Sequence, residues 1–99
     1  MIIVSGEIEL DPAKAADVMD AAKTMMAETR EEDGCISYTF YQSLENPGVF
    51  RVFEEWESLA HLQAHFEAPH MADWRAALGA IGIDRRDIKR YEIASAESL

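Results

Sequence analysis

The chain contains 99 residues, 48% of them hydrophobic and 28% charged, and its formal net charge is −10 at pH 7. This composition is typical of one globular domain, here predicted over residues 1–99, and it excludes an intrinsically disordered chain. The nine Lys and Arg residues are scattered apart from Arg85–Arg86 and Lys89–Arg90. Without a basic patch, such an acidic chain is not expected to bind nucleic acid or an anionic membrane.

Cysteine content and hydropathy predict the compartment. Cys35 is the single cysteine, so no disulfide can form within the chain, and this indicates a reducing cytoplasm. The apolar run Met1–Val4 is too short for a signal peptide. No segment approaches the roughly 20 apolar residues that a membrane span needs. We therefore expect a cytoplasmic protein that does not enter a membrane.

The first predicted strand and helix follow clear periodicities. Apolar side chains alternate with polar ones in the first ten residues, which predicts a strand with one buried face. Gly6 lies on that face, where it allows another backbone to approach closely. Asp11 is predicted to cap a helix that begins at Pro12 and ends near residue 31, before a left-handed Gly34. The buried stripe of this helix is predicted to be Ala15, Val18, Ala22, Met25 and Thr29.

Two further strands are predicted in the middle of the chain, over residues 35–44 and 49–56, joined by an Asn-Pro-Gly turn. Strict alternation places Ile36, Tyr38 and Phe40 on one face of the earlier strand. The residues that share a face of the later strand are Phe50, Val52, Glu54 and Trp56.

Helices and a last strand complete the chain. Ser58 is predicted to cap a second helix, which Pro69 ends. The predicted buried stripe of this helix is Leu59, Leu62 and Phe66. A further helical segment carries Trp74, and residues 87–94 predict the final strand.

This order of elements predicts an α+β fold of the ferredoxin-like type, β-α-β-β-α-β, with a four-stranded antiparallel sheet and both helices on one face. Aromatic and aliphatic residues occur at both parities on the middle strands. The other face of the sheet is therefore predicted to be too apolar to remain exposed to water. Two sheets stacked face to face would cover it, so we expect a homodimer.

All three histidines lie between residues 61 and 70. His61 and His65 are four residues apart on one side of the predicted helix, with Glu57 one turn earlier, and such a set could reach a metal ion. The third ligand is only suggested by this spacing, and His61 projects away from the buried stripe. We therefore predict a solvated His61 and no metal site.

His65 borders the buried stripe and is expected at the edge of a cavity between helix and sheet. A neutral imidazole there could exchange a proton near neutral pH. The alternative is a core histidine that forms a hydrogen bond with the backbone. His70 follows Pro69 in the break between helices, where it could cap a helix or line the mouth of the pocket.

Aromatic side chains are frequent on the elements that would enclose this cavity, and such residues are more often core than ligand platform. Several aromatics and soft methionines around one cavity would nevertheless suit a flat aromatic ligand. Glu54–Glu55 beside Arg51 is predicted to form a cross-strand charge network. Cys35 adjoins the acidic run 31–33 and is predicted to be a poor nucleophile with a raised pKa. No phosphate-binding glycine loop or nucleophile elbow occurs.

Five segments of the sequence resemble a known family. They are residues 34–38 (GCISY), 41–47 (YQSLENP), 54–58 (EEWES), 62–65 (LQAH) and 69–70 (PH). Through these segments the chain resembles the antibiotic biosynthesis monooxygenase family over nearly its whole length, from Ile2 to about Tyr91. The resemblance is greatest to the short, single-domain, quinol monooxygenase-like members.

This resemblance implies a dimeric α+β barrel that oxygenates electron-rich aromatic or quinol substrates with dioxygen and without flavin, haem or metal. A deprotonated hydroquinone can pass an electron to dioxygen itself, so the protein would supply a dry pocket, orientation and a proton acceptor. Trp56 and His65 match the family's signature positions and are the catalytic residues that the resemblance implies. The side chains expected around the substrate are Tyr38, Phe40, Phe66, His70 and Trp74.

Haem-degrading members of the family carry a helical Trp ten residues before a helical His. In this chain Phe66 lies ten residues after Trp56 and Asp84 lies ten after Trp74, and the first strand lacks the Asn of those members, so haem degradation is disfavoured. Two other functions remain open. One is a non-catalytic protein that binds a small aromatic ligand or serves a stress response, and the other is an isomerase or decarboxylase of lactones or polyketides that uses His65.

Overall fold

Four strands and three α-helices make up the computed structural model, which describes residues 1–99. The strands are β1 (Ile2–Glu9), β2 (Cys35–Gln42), β3 (Val49–Trp56) and β4 (Arg85–Glu92). The helices are α1 (Ala15–Thr29), α2 (Leu59–Phe66) and α3 (Pro69–Ile81), and a short 3-10 turn, Pro12–Lys14, precedes α1.

The strands form one antiparallel sheet in the order β2-β3-β1-β4, which confirms the predicted ferredoxin-like α+β fold. Alternate residues of β1 and β3 are buried, and they form one hydrophobic core with residues of all three helices. The helices therefore cover one face of the sheet. None of them has both the length and the hydropathy needed to cross a membrane.

The first helical region agrees with the sequence pattern. The Asp11 carboxylate accepts a hydrogen bond from the backbone N–H of Ala13 at 3.0 Å, and this cap begins the 3-10 turn from which α1 continues. The buried residues of α1 are the five predicted ones, Ala15, Val18, Ala22, Met25 and Thr29. Gly34 has φ of +80° and confirms the predicted left-handed residue. A backbone reversal at Gly34 turns the chain from α1 into β2.

Three details of the predicted elements are wrong. The pairing of β2 with β3 shifts by one residue between Cys35 and Ser37, so Ile36 is left over in a β-bulge and is 51% exposed. In α2 the buried residues are Leu62 and His65, whereas Leu59 and Phe66 are more than one-third exposed. The strands β2 and β4 end two residues earlier than predicted, at Gln42 and Glu92.

The outer face of the sheet is less apolar than alternation predicts. Phe53, Tyr91 and Tyr41 are exposed there as large hydrophobic side chains. Beside them, Glu7 forms ion pairs at 3.1 Å with Arg51 and with Arg85 across three strands. This face is therefore divided between an aromatic region and a charged network.

β4 passes very close to β1 at Gly6. A Cβ at this position would lie 2.1 Å from the carbonyl oxygen of Asp87 and 2.3 Å from the Cα of Ile88. Backbone atoms cannot rotate away as a side chain can, so a residue other than glycine would push β4 outward. This confirms the expectation that Gly6 allows a second backbone to approach closely, and that backbone is β4, the neighbour of β1 in the sheet.

Gly6→Ala is expected to lower the free energy of unfolding by about 1–3 kcal/mol, because the added methyl overpacks a rigid contact. Gly79→Ala is the matched control. Gly79 lies in α3 with nothing within 4 Å of an added Cβ, so its replacement should stabilise the protein by about 0.5–1 kcal/mol. Urea unfolding followed by circular dichroism measures both changes. Equal changes in the two variants would contradict the close approach at Gly6.

Candidate functional site

A cavity of about 180 Å³ lies between the sheet and the helices α2 and α3, and 11 of its 16 lining residues are hydrophobic. The predicted site residues on its wall are Tyr38, Phe40, His65, Phe66 and Trp74. Two others lie off this wall: Trp56 is completely buried behind His65, and His70 lies beside α1. The structure thus brings five of the seven predicted residues together around one apolar space.

His65 is the buried histidine of this wall, with 1% of its surface exposed. Its Nδ1 lies 2.6 Å from a carboxylate oxygen of Glu32. Its ring packs on Trp56, with centroids 4.8 Å apart, and on Tyr38 at 5.5 Å. The histidine is therefore held by a side-chain carboxylate. It is not the core histidine with a backbone hydrogen bond that the sequence left open as an alternative.

The electrostatics of His65 favour a neutral ring with a defined tautomer. Burial lowers its pKa, and the hydrogen bond and negative charge of Glu32 partly oppose that effect. A carboxylate only accepts hydrogen bonds, so Nδ1 of His65 carries the proton and donates a hydrogen bond to Glu32. Nε2 then bears a lone pair and forms no hydrogen bond within the protein. His65 can act as a proton acceptor toward the cavity.

Glu32 is the site residue that sequence reasoning missed. The same carboxylate oxygen accepts a second hydrogen bond, from Nε2 of His70, at 2.7 Å. In the sequence, Glu32 stands out only as part of an acidic run beside Cys35. The contact with His65 joins residues 33 positions apart, so no local sequence pattern indicates it.

Glu32, His65 and His70 are also the residues that could hold a metal ion, because one ligand atom of each lies within 4.8 Å of the others. Their contacts of 2.6 and 2.7 Å are hydrogen-bond distances. Ligand atoms around tetrahedral zinc lie about 3.3 Å apart, so these groups would have to separate to admit the ion. The set of Glu57, His61 and His65 considered from sequence is not formed: Nδ1 of His61 lies 2.7 Å from the hydroxyl of Ser58.

Glu54 places a second titratable group on the cavity wall. It is 6% exposed, and one of its carboxylate oxygens accepts a hydrogen bond from the indole N–H of Trp56 at 2.9 Å. Burial raises the pKa of this carboxyl to about 7. The predicted charge network with Arg51 is wrong, because Arg51 binds Glu7 on β1 instead. Trp56 thus contacts both titratable groups of the wall without lining the cavity.

The remaining titratable groups beside the cavity stay protonated at neutral pH. Burial, together with the charges of Glu32 and Glu54, raises the pKa of Cys35 to about 11, in agreement with the predicted poor nucleophile. Burial also raises the pKa of Tyr38. The Tyr38 hydroxyl is a cavity group without a partner within the protein, and it is available as a donor to a ligand.

The fold and site together define a ferredoxin-like domain that encloses an apolar cavity with a buried proton acceptor. The family model of the antibiotic biosynthesis monooxygenases matches residues 1–77. The chain belongs to the antibiotic biosynthesis monooxygenase family, as the resemblance implied.

Individual relatives and solved structures are similar to this chain over most of its length. An uncharacterised protein of Synechocystis is 32% identical over 98 residues, which are 99% of this chain and 67% of that one. A probable quinol monooxygenase of Escherichia coli is 30% identical over 89 residues, 79% of this chain and 85% of the relative. Among solved structures, a family member from Deinococcus radiodurans superposes with a TM-score of 0.93 at 27% identity and covers 100% of this chain and 98% of that one.

The buried carboxyl of Glu54 is expected to make stability depend on pH. The folded pKa, about 7, lies above the ordinary value of 4.5, so the folded state binds this proton more tightly than the unfolded state. The stability that this proton provides is present at low pH and is lost as the pH rises from 4.5 to 7. Glu54→Gln keeps an oxygen for the Trp56 indole and removes the ionisation. Its free energy of unfolding should exceed that of the wild type at pH 8 by about 1–3 kcal/mol.

Urea unfolding at pH 5 and pH 8 measures this difference. Glu55→Gln is the matched control, because Glu55 lies at the next position of β3 on the opposite face, where it accepts a hydrogen bond from Ser37. A Glu54→Gln variant whose stability changes with pH as steeply as that of the wild type would show that Glu54 ionises normally.

Proposed function

We propose that the protein is a cofactor-independent monooxygenase that oxidises a quinol or a polyketide-type aromatic compound with dioxygen. The observation that carries the proposal is His65, a buried imidazole held by Glu32 at 2.6 Å on the wall of an apolar cavity. The similarity to a probable quinol monooxygenase supports this substrate class. The single cysteine supports a cytoplasmic location.

The proposed reaction begins with proton transfer from a substrate hydroxyl to Nε2 of His65. The resulting phenolate is electron-rich enough to pass one electron to dioxygen, and recombination of the two radicals forms a carbon–oxygen bond. His65 returns its proton to the peroxide, which then loses water as its O–O bond and the C–H bond on the same carbon break, and a carbonyl remains on the ring. The substrate supplies all the electrons, so the chain has to provide only a base, orientation and a dry site.

The other side chains serve this proton transfer. The negative charge of Glu32 stabilises the imidazolium that forms on His65, as a carboxylate behind a catalytic histidine does in general. Tyr38 and Glu54, as neighbours across β2 and β3, offer a donor and an acceptor to the substrate's oxygen atoms. Trp56 is a positioning residue, because it fixes Glu54 through its N–H and supports the ring of His65.

Oxygen uptake with hydroquinones and anthrone-type phenols tests the proposal. His65→Gln is expected to lower kcat/KM by about 100-fold or more, since general-base catalysis contributes that much. Glu32→Gln should lower kcat/KM and shift its pH profile to lower pH, because loss of the carboxylate makes His65 less basic. His61→Gln is the matched control on the same helix, as His61 bonds Ser58 and does not line the cavity.

Four outcomes would contradict the proposal. Full activity of His65→Gln would exclude this histidine as the base. Activity that a chelator abolishes and zinc or another divalent ion restores would identify Glu32, His65 and His70 as a metal centre. Tight binding without oxygen uptake would indicate the non-catalytic alternative, and product formed without dioxygen would indicate an isomerase or decarboxylase.

We also propose that the active form is a homodimer in which two sheets stack through their outer faces. The aromatic region of this face, with Phe53 and Tyr91 exposed, supports the arrangement. A chain of this length buries only about two-thirds of its unfolded surface when it folds alone, so covering this region with a second copy would stabilise it.

Sedimentation at micromolar concentration is expected to give twice the mass of the 11.1 kDa chain. Phe53→Glu should sediment as a monomer, because a buried charge at the centre of the interface is costly. Thr24→Glu, on the exposed side of α1, is the control and should remain dimeric. A wild-type monomer under these conditions would exclude the dimer.

A further inference from the structure

The open side of the cavity is formed by the edge strand β4, which places positive charges there. Arg86, Ile88 and Arg90 line the cavity, because their partners on β1 are residues of its helix-facing side. The cavity continues into a wider groove of about 570 Å³ along α3, where Arg75 joins Arg86 as a source of positive charge and Asp84 is the acidic residue.

These positive charges are unusual for this chain. The protein has nine Lys and Arg residues against 19 Asp and Glu, and a net charge of −10. On the outer face of the sheet, Arg51 and Arg85 are bound by Glu7. Arg86 and Arg90 have no carboxylate within 4.0 Å and donate no hydrogen bond within the protein, so their charges are free to act on a ligand at the cavity mouth.

The inner and outer ends of the cavity therefore differ in chemistry. Cross-strand partners place Tyr38, Glu54, Val4 and Arg90 in one row across the sheet. Neighbouring strands are about 4.8 Å apart, so the backbone of Arg90 lies about 10 Å from that of Glu54. The inner end presents Tyr38, Glu54 and His65, and the outer end presents guanidinium groups. A ligand that satisfies both ends carries a hydroxyl at one end and a negative charge at the other.

We infer that the substrate is an anionic hydroxylated aromatic compound, whose hydroxyl lies against His65 and Glu54 and whose carboxylate lies between Arg86 and Arg90. This inference rests on the proposed function for the identity of the reacting end and narrows its substrate class to aromatic acids. A carboxylate suits two arginines because the guanidinium fork matches its geometry. The apolar wall between the ends, with Val4 and Ile88, accommodates the ring system.

Two compounds that differ by one carboxylate test the inference: 2-naphthol and 6-hydroxy-2-naphthoate. Titration calorimetry at pH 7 is expected to give a Kd for the naphthoate at least about tenfold below that of the naphthol, as a charge-assisted hydrogen bond allows. The double variant with Arg86→Gln and Arg90→Gln should abolish this difference in Kd, because it weakens the binding of the naphthoate alone. Lys23→Gln, an exposed cation on α1, should leave both values unchanged.

Higher salt should weaken the binding of the naphthoate and leave the binding of the naphthol unchanged, because salt screens only the charged contact. Three results would overturn the inference. They are equal affinity of the two compounds, an equal loss of affinity for both in the arginine double variant, and no binding of either compound. Binding is measured without turnover, so a protein that prefers the naphthoate yet consumes no dioxygen would retain the anion site and lose only the monooxygenase proposal.

Discussion

One carboxylate oxygen of Glu32 organises the site, because it accepts hydrogen bonds from His65 on α2 and His70 on α3. Glu32 itself follows α1, so this single atom joins three parts of the chain at one point. The Glu32 side chain is only 16% exposed, and these donors replace the water that such a carboxylate loses, while the buried imidazole of His65 needs an acceptor in turn. The pairing also decides which nitrogen of His65 bears the proton. Structure and chemistry at the cavity therefore depend on the same contact.

The cavity wall combines two titratable groups that burial affects in opposite directions. Burial lowers the pKa of His65, which favours its neutral ring, and raises the pKa of Glu54 to about 7, so Glu54 can exchange a proton near neutral pH. Trp56 contacts both groups, through its N–H and through its ring face. Trp56 therefore joins the two titratable groups of the wall, although it does not line the cavity itself.

The periodic parts of the fold could be predicted from sequence, and the contact-dependent parts could not. Val18 and Met25 are buried because a long amphipathic helix repeats one pattern over several turns. The two turns of α2 are too short for that, and its orientation on the sheet buries His65 in place of Phe66. Ile36 lies in a bulge that depends on the partner strand. The Glu32–His65 contact joins residues 33 positions apart, and no local pattern indicates it.

The strand β4 has one further consequence, for how the protein meets other chains. It is an edge of the sheet, with one row of backbone N–H and C=O groups unpaired, and its sequence RRDIKRYE is largely charged. A strand from another molecule that paired with this edge would have to remove water from those charges. This edge of the sheet is therefore protected against growth by strand addition, which is the route to fibrils. In the proposed homodimer the two copies meet through the face of the sheet, where contact is closed and limited to a pair.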